Sequence, residues 1–389
     1  MNPTYHEPQL PDYVPSPKPV TTDYLIGAHY FPGWKSGTHQ GWTAIADYPD
    51  RTPLLGYYEE GNPQVTDWEI KWCLEHGISF FVYCWYRDLG NVGQPVTVEA
   101  ARLGHAIHEG LFRARYADSF RFAIMWENYG TRGMVASIDD LMDHLLPFWM
   151  ENYFTRGNYL VVDNKPVLFV YHLPSLLEQV GGLDEARRAL NLMRRACQDA
   201  GFDGLTLMCE HRGPDVGLLE EMRDCGFDAS FAYCWHPDQR FPGAEEAIAY
   251  QIDIMRSRLD QPILAFVPTA SMGWDPWPWR SDNPDTPWVN PDTMIRWLST
   301  PEEWLDLLAQ IKELMARTPN SSPCAKMLLL DNWNEWAEGH YIAPHAFGGF
   351  GYLQAVREVF TARDNLPDYR TPQQLSLGPY EDKGARRAT

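Results

Sequence analysis

Short apolar runs recur along this chain, and each ends in a polar or aromatic cluster. They span Leu25–Phe31, Ile78–Arg87, Phe122–Asn128, Val167–His172, Leu205–His211, Ala229–His236, Ile263–Pro268 and the start of Met327–Gly339. The runs are short for helices and apolar on both faces, which is the pattern of strands buried in a parallel sheet. Helical patterns lie between them. The first follows Asn62-Pro63, an N-cap and N1 pair, and ends at Gly77, a C′ glycine. Others cover about 97–116, 137–155, 183–200, 214–226, 243–259, 301–317 and 352–361.

Eight strands alternating with helices predict an α/β fold of the (β/α)8 TIM-barrel type, one domain over residues 23–365 with long βα loops. A doubly wound sheet is the alternative, but no GxGxxG follows any strand. Residues 1–22 carry six prolines and read as an extended N-terminal arm. Residues 366–389 read as a loose C-terminal tail.

A barrel turns the residues past each strand's C-terminus toward one cleft. Here these are His29 and Tyr30; Trp85, Tyr86 and Arg87; Trp126, Glu127 and Asn128; Tyr171 and His172; Glu210, His211 and Arg212; Trp235 and His236; and Asn332, Asn334, Glu335 and Glu338. Singly, a strand-end histidine is more often a structural group; nearly every strand ending this way points to a site. The loop at 32–61 adds Trp34, Tyr57 and Tyr58, with Trp42 and Arg51. The loop at 268–300 adds Trp274, Trp277, Trp279, Arg280 and Trp288. These long loops read as walls of sugar subsites, or else as a stiff Pro/Trp brace.

Glu335 and Glu338 stand three residues apart, interleaved with Trp333 and Trp336. On a helical turn they share one face, and two carboxyls that close separate their pKa values into a base and an acid. The bland alternative is a solvated helix start. Sixteen Trp and twenty Tyr exceed what a core needs and fit a cleft that binds sugar rings.

The net charge of −20 argues against nucleic acid or an anionic membrane as partner and says little about a neutral ligand; the expected partner, an oligosaccharide or glycoside, follows from the rings beside the carboxylates. Seven cysteines, without CxxC spacing, read as reduced core residues. HExxH and GxSxG are absent, so neither a metal, a cofactor nor a serine triad is expected. The first residues show neither a basic start nor an apolar stretch, and no transmembrane run follows; a cytoplasmic location is the expectation.

The segments Ala28-His29-Tyr30-Phe31-Pro32-Gly33-Trp34, Leu55-Gly56-Tyr57-Tyr58, Glu75 to Tyr86, Asn334-Glu335-Trp336-Ala337-Glu338-Gly339 and Gly351-Tyr352-Leu353 together resemble the WbsX-like domain family. That family is related to glycoside hydrolase family 99, the endo-α-mannosidase group. The resemblance implies a (β/α)8 barrel and a retaining glycosidase using neighbouring 2-hydroxyl participation through a 1,2-anhydro sugar. It implies Glu335 as the base at O2, and Glu338 as the acid for the leaving group, then the base for water. Relatives often carry an acid where this chain has Ala343. Alternatives are a conventional two-carboxylate glycosidase using Glu127 or Glu210, or a WbsX-type glycosyltransferase or carbohydrate-binding protein.

Overall fold

A computed structural model describes residues 10–38, 41–130, 134–237, 243–280, 295–318 and 325–382. Among the described residues the strands on the main path of the sheet are β1 Leu25–Tyr30, β2 Phe80–Arg87, β3 Arg121–Trp126, β4 Lys165–Val170, β5 Thr206–Glu210, β6 Ala229–Phe231, β7 Ala265–Phe266, β8 Thr269–Ser271 and β9 Met327–Asp331, with short antiparallel pairs beside them. All nine run parallel, in the order β8-β9-β1-β2-β3-β4-β5-β6-β7. The two ends of that order, β7 and β8, are parted by Val267-Pro268; β7 falls within the predicted run Ile263–Pro268, and β8 lies beyond it, in the stretch read as loop. Pro268 has no N–H to give the ladder. Around it, Val267 donates to the Ser230 carbonyl and Leu329 to the Pro268 carbonyl. The curled sheet thereby closes on itself as a TIM barrel.

Helices α1 Pro63–His76, α2 Leu173–Val180, α3 Leu183–Asp199, α4 Val216–Cys225, α5 Ala244–Asp260, α6 Pro301–Met315 and α7 Gly351–Phe360 surround the sheet. The Asn62 side chain caps α1 by accepting from the Gln64 N–H, and Gly77 ends it in the left-handed region at φ 91°. Thr300 and Glu303 form a reciprocal capping box on α6.

Two predicted helices come out differently. Residues 97–116 form no regular helix: Leu103 takes a positive φ, and short π and 3-10 turns cover 106–113. Gly110 presses so close that a Cβ there would meet the Glu60 carbonyl at 2.2 Å. Residues 138–154 mix α and π turns around Pro147, whose missing N–H breaks the α ladder. The short α2 follows β4 directly and is absent from the sequence reading. The sixth strand also stops early, at Phe231 rather than His236.

The arm at 10–22 lies along α1: the Tyr13 hydroxyl donates to Asp67 at 2.6 Å, and Val20 N–H to the Leu74 carbonyl. The tail is not loose through Asp382. Leu375 is buried, and Tyr380 and Asp382 donate to the carbonyls of Leu55 and Tyr57, strapping the first βα loop down. The six described cysteines are free and buried; Cys324 lies outside the described residues. No helix among the described residues is long and apolar enough to cross a membrane.

Candidate active site

Beyond β9 the chain does not turn helically, as the glutamate spacing first implies. Residues 335–340 make a tight turn closed by an antiparallel bridge between Glu335 and His340, and Gly339 N–H donates to the Glu335 carbonyl at 3.0 Å. Gly339 sits at φ 73°, with Asp275 so close that a Cβ would meet its backbone nitrogen at 2.7 Å. Only glycine fits there.

This turn brings both carboxylates to the barrel mouth. One oxygen each from Glu335 and Glu338, and a ring nitrogen of His340, all lie within 4.8 Å of one another. Glu335 is buried, and its Oε1 accepts from the Tyr233 hydroxyl at 2.8 Å. The same Tyr233 oxygen accepts from the Asn332 amide at 2.8 Å. Glu338 is partly open and accepts from His340 Nε2 at 3.1 Å. His340 Nδ1 donates to Asp331 Oδ1 at 2.5 Å, and Ser271 Oγ donates to Asp331 Oδ2.

The electrostatics follow from burial and neighbours. Desolvation, reinforced by the Glu338 charge, drives the Glu335 carboxyl well above the usual range against the opposing pull of His340 and Tyr233. Burial alone would lower His340, but Asp331 and Glu338 outweigh it and hold the imidazolium up to about 10. Among the described residues, Glu335, Glu338 and His340 are the grouping whose donor atoms could gather on a metal ion. Both nitrogens of that ring lie within hydrogen-bond reach of carboxylates, Nδ1 of Asp331 and Nε2 of Glu338.

Strand alternation sorts the other candidates. His29, Tyr86 and Glu127 turn inward. The His29 ring lies 5.0 Å from Tyr233, and burial lowers its imidazole to about 3. Tyr86 and Glu127 act on the buried Cys84 thiol, which also faces Tyr233. Trp274 covers the mouth, its ring 5.1 Å from His340 and 4.2 Å from His236.

Their neighbours along the strands face away from the cavity, which corrects the expectation that they bind substrate. Tyr30 reaches back to Glu69 on α1. Trp85 and Trp126 pack on Trp149. Arg87 makes a bidentate pair with Asp140 at 2.7 and 2.9 Å. Trp235 donates to the Thr269 carbonyl. The first loop is a brace. Trp34 stacks on Trp42 and donates to the Asn334 carbonyl, Tyr57 lies 5.3 Å from Trp42, and Tyr58 accepts from Trp336. Trp336 is fully buried against Tyr341, Asn334 clamps the Phe31 backbone from both amide atoms, and Asn128 does the same to His172. Arg51 ties this brace to Asp275. Trp277 and Trp279 sit in a short 3-10 turn; Trp288 lies outside the described residues.

A second group lines a neighbouring groove of about 390 Å³ above β4 and β5: Tyr171, His172, Glu210, His211, Arg212 and His236, with Tyr129 and Leu218 at its walls. Arg212 knits it together, donating to Glu210 at 2.7 Å, the Tyr171 hydroxyl at 2.8 Å and Cys234 Sγ at 3.0 Å. Tyr233, His340 and Asp331 are absent from the sequence-derived set. Asp331, an acid ending an all-apolar strand, is the one signal that was present.

The family described as Glycosyltransferase WbsX matches residues 46–356, most of the chain. The chain belongs to the WbsX family. Its curated relatives include the uncharacterized protein WxcX of Xanthomonas campestris pv. campestris strain B100, 25% identical over 336 residues that cover 82% of this chain. The WbsX chain spans only 44% of that relative's length. Among solved structures it is similar to the family 99 endo-α-mannosidase of Bacteroides thetaiotaomicron, in complex with bis-tris-propane (TM-score 0.58, 14% identity, 87% of this chain and 96% of that one). It is also similar to a glycoside hydrolase-like protein (TM-score 0.59, 19% identity, 90% and 98%). At these identities the likeness establishes the barrel fold.

Proposed function

We propose that this WbsX protein is a retaining glycoside hydrolase for 1,2-trans glycosides of manno, rhamno or β-gluco configuration, with Glu335 and Glu338 as its working carboxyls. One observation carries the reading: two carboxyls within 4.8 Å at the barrel mouth, one buried and one partly open. A retaining enzyme of the ordinary kind sets its two carboxyls about 5–5.5 Å apart on opposite faces of the anomeric carbon. Two carboxyls on one tight turn serve adjacent oxygens of one sugar more naturally.

At rest the pair shares a proton. Burial and the neighbouring Glu338 charge hold it on Glu335, while Glu338 accepts from His340 Nε2. A bound glycoside reverses this preference by its own hydrogen bonding. Its 2-hydroxyl offers a donor to Glu335 and its glycosidic oxygen offers an acceptor to Glu338. Glu335 then takes the O2 proton as O2 attacks C1, and Glu338 protonates the departing oxygen. The product is a 1,2-anhydro sugar. Water opens it at C1, giving a proton to Glu338, while Glu335 returns its proton to O2. Two inversions give net retention. Tyr233, donating to Glu335, stabilises the charge this route needs on that residue.

The test is hydrolysis of a panel of glycosides followed by NMR. We expect release of the sugar with retained configuration, loss of turnover in Glu338→Gln, and an intact 2-deoxy analogue. Normal turnover of the 2-deoxy substrate would rule out the O2 route. Loss of activity in Glu210→Gln with Glu338→Gln unaffected would move the chemistry to a conventional carboxylate pair. A strict requirement for a nucleotide-sugar donor would replace hydrolysis with transfer.

A further inference from the structure

His340 sits where neither of the paired glutamates can avoid it. Its ring is fully buried, and both nitrogens are engaged, Nδ1 by Asp331 and Nε2 by Glu338. Ionised carboxylates only accept, so a ring bridging two of them must donate from both nitrogens and carry a positive charge. The far end of the bridge is fixed. Asp331 closes β9 and accepts from Ser271 Oγ, which itself accepts from the Trp235 N–H at 3.0 Å. The Ser271 backbone is held in turn by both amide atoms of Gln251 on α5. The near end is fixed by the bridge that sets His340 opposite Glu335 across the turn.

We propose that His340 is a positioning residue for the glutamate pair: a permanent buried cation, anchored by Asp331, that orients Glu338 and sets the pH range over which the pair holds its single proton. The inference rests on the assignment of Glu335 and Glu338 as the working carboxyls. Its charge logic is simple. Asp331 and His340 cancel, leaving one negative charge for the two glutamates to share. Without the cation, Asp331 and the pair would crowd uncompensated charge into a buried mouth, and the pair would bind protons more tightly. The strong upward shift of the His340 imidazolium agrees with this account. The other titratable groups that face it are Tyr233 and His236 after β6 and His29 on β1, while Arg212 after β5 acts on its partner Asp331; none of them bridges the carboxylates.

Two measurements test the proposal, one of them independent of catalysis. In protein carrying 15N-labelled histidine, the His340 signals, assigned by their loss in His340→Asn, should report a doubly protonated ring through pH 9. In Asp331→Asn they should titrate at lower pH. A ring with one unprotonated nitrogen at pH 7 in the unaltered protein would overturn the proposal, whether or not any glycoside is hydrolysed. The second measurement is the pH profile of kcat/KM. Removing the cation while Asp331 keeps its charge, as in His340→Asn, should move both limbs of the bell to higher pH by about one unit or more. Adding Asp331→Asn to His340→Asn removes both members of the cancelling pair and should bring the limbs back toward those of the unaltered protein. A lower profile with unmoved limbs would mean that His340 only supports the fold, and would equally overturn the proposal. If no glycoside is turned over by the unaltered protein, the hydrolase reading fails while the imidazole titration still decides the state of His340.

Discussion

Glu335 and Glu69 are both buried glutamates, both pushed upward by desolvation and both within reach of a tyrosine hydroxyl. They sit on opposite sides of the barrel wall. Glu69, on α1, is sealed between helix and sheet and accepts from Tyr30 and from Trp333 Nε1. Glu335 stands at the mouth with a second carboxyl and a cation beside it. A displaced pKa is therefore a poor marker of a site by itself. What separates the two is company: a second, partly open carboxyl within 4.8 Å and a place at the barrel mouth.

The sharpest way to break this comparison is to neutralise one member of each. Glu338→Gln should lower kcat/KM by about 10²–10⁴-fold, the range for loss of a general acid, with the melting temperature nearly unchanged. Glu69→Gln should leave kcat/KM essentially unaltered. Equal losses in the two would erase the distinction.

Arg87 extends the contrast to a charged strand end. Its fork on Asp140 is buried, so Arg87→Ala leaves a carboxylate without its partner. We expect a loss of about 3–5 kcal/mol in unfolding free energy, read from denaturant melts, with kcat retained by the folded fraction. A large fall in kcat at unchanged stability would return Arg87 to the site.

Tyr233→Phe probes the mouth more gently. It deletes the donor to Glu335 and leaves the Asn332 amide without its acceptor. A hydrogen bond to a charged group contributes about 1.5–3 kcal/mol, so kcat/KM should fall about ten- to a hundredfold. Unchanged kinetics would show that Glu335 does not work as an anion.

The sequence made the barrel visible because its strands are continuous apolar runs and its helices carry their own stop signals, Asn62-Pro63 and Gly77 among them. The pair Glu335 and Glu338 was visible for a similar reason: the two lie three residues apart behind a buried strand. What the sequence hid is direction and distance. His29 and Tyr30 are neighbours with the same chemistry at hand, yet one enters the cavity and the other reaches α1, and only the register of β1 against β2 decides which. Tyr233 meets Glu335 across 102 positions. His340 gains its role from a turn that only Gly339 and the pressure of Asp275 define. The rings of Trp34, Trp42 and Tyr58 could have been walls or braces on composition alone; in the fold Trp42 packs between the other two, tilted against Trp34 and edge-on to Tyr58.

Glu69 gives the finest test of the comparison, through pH and stability rather than rate. Burial is the chief cause that lifts its carboxyl to about 8, opposed by the Trp333 and Tyr30 hydrogen bonds and aided by the Glu60 charge. Unfolded, it should titrate near its ordinary value of about 4.3. Between those two values the folded state holds a proton that the unfolded state has lost. Unfolding free energy must then fall as pH rises through this window, by at most about 1.4 kcal/mol per pH unit from this one group. Its stabilising contribution is complete below the unfolded value and gone once pH has passed about 8. Gln mimics the protonated acid, accepting from Trp333 and donating to Tyr30, and does not titrate. The stability of the unaltered protein minus that of Glu69→Gln should therefore decline from about pH 4.5 to 8 and then level, a difference of a few kcal/mol in all. Urea melts at pH 5 and 8.5 measure it. Parallel curves for the two proteins would mean that Glu69 is ionised in the fold. Its likeness to Glu335 would then end at burial.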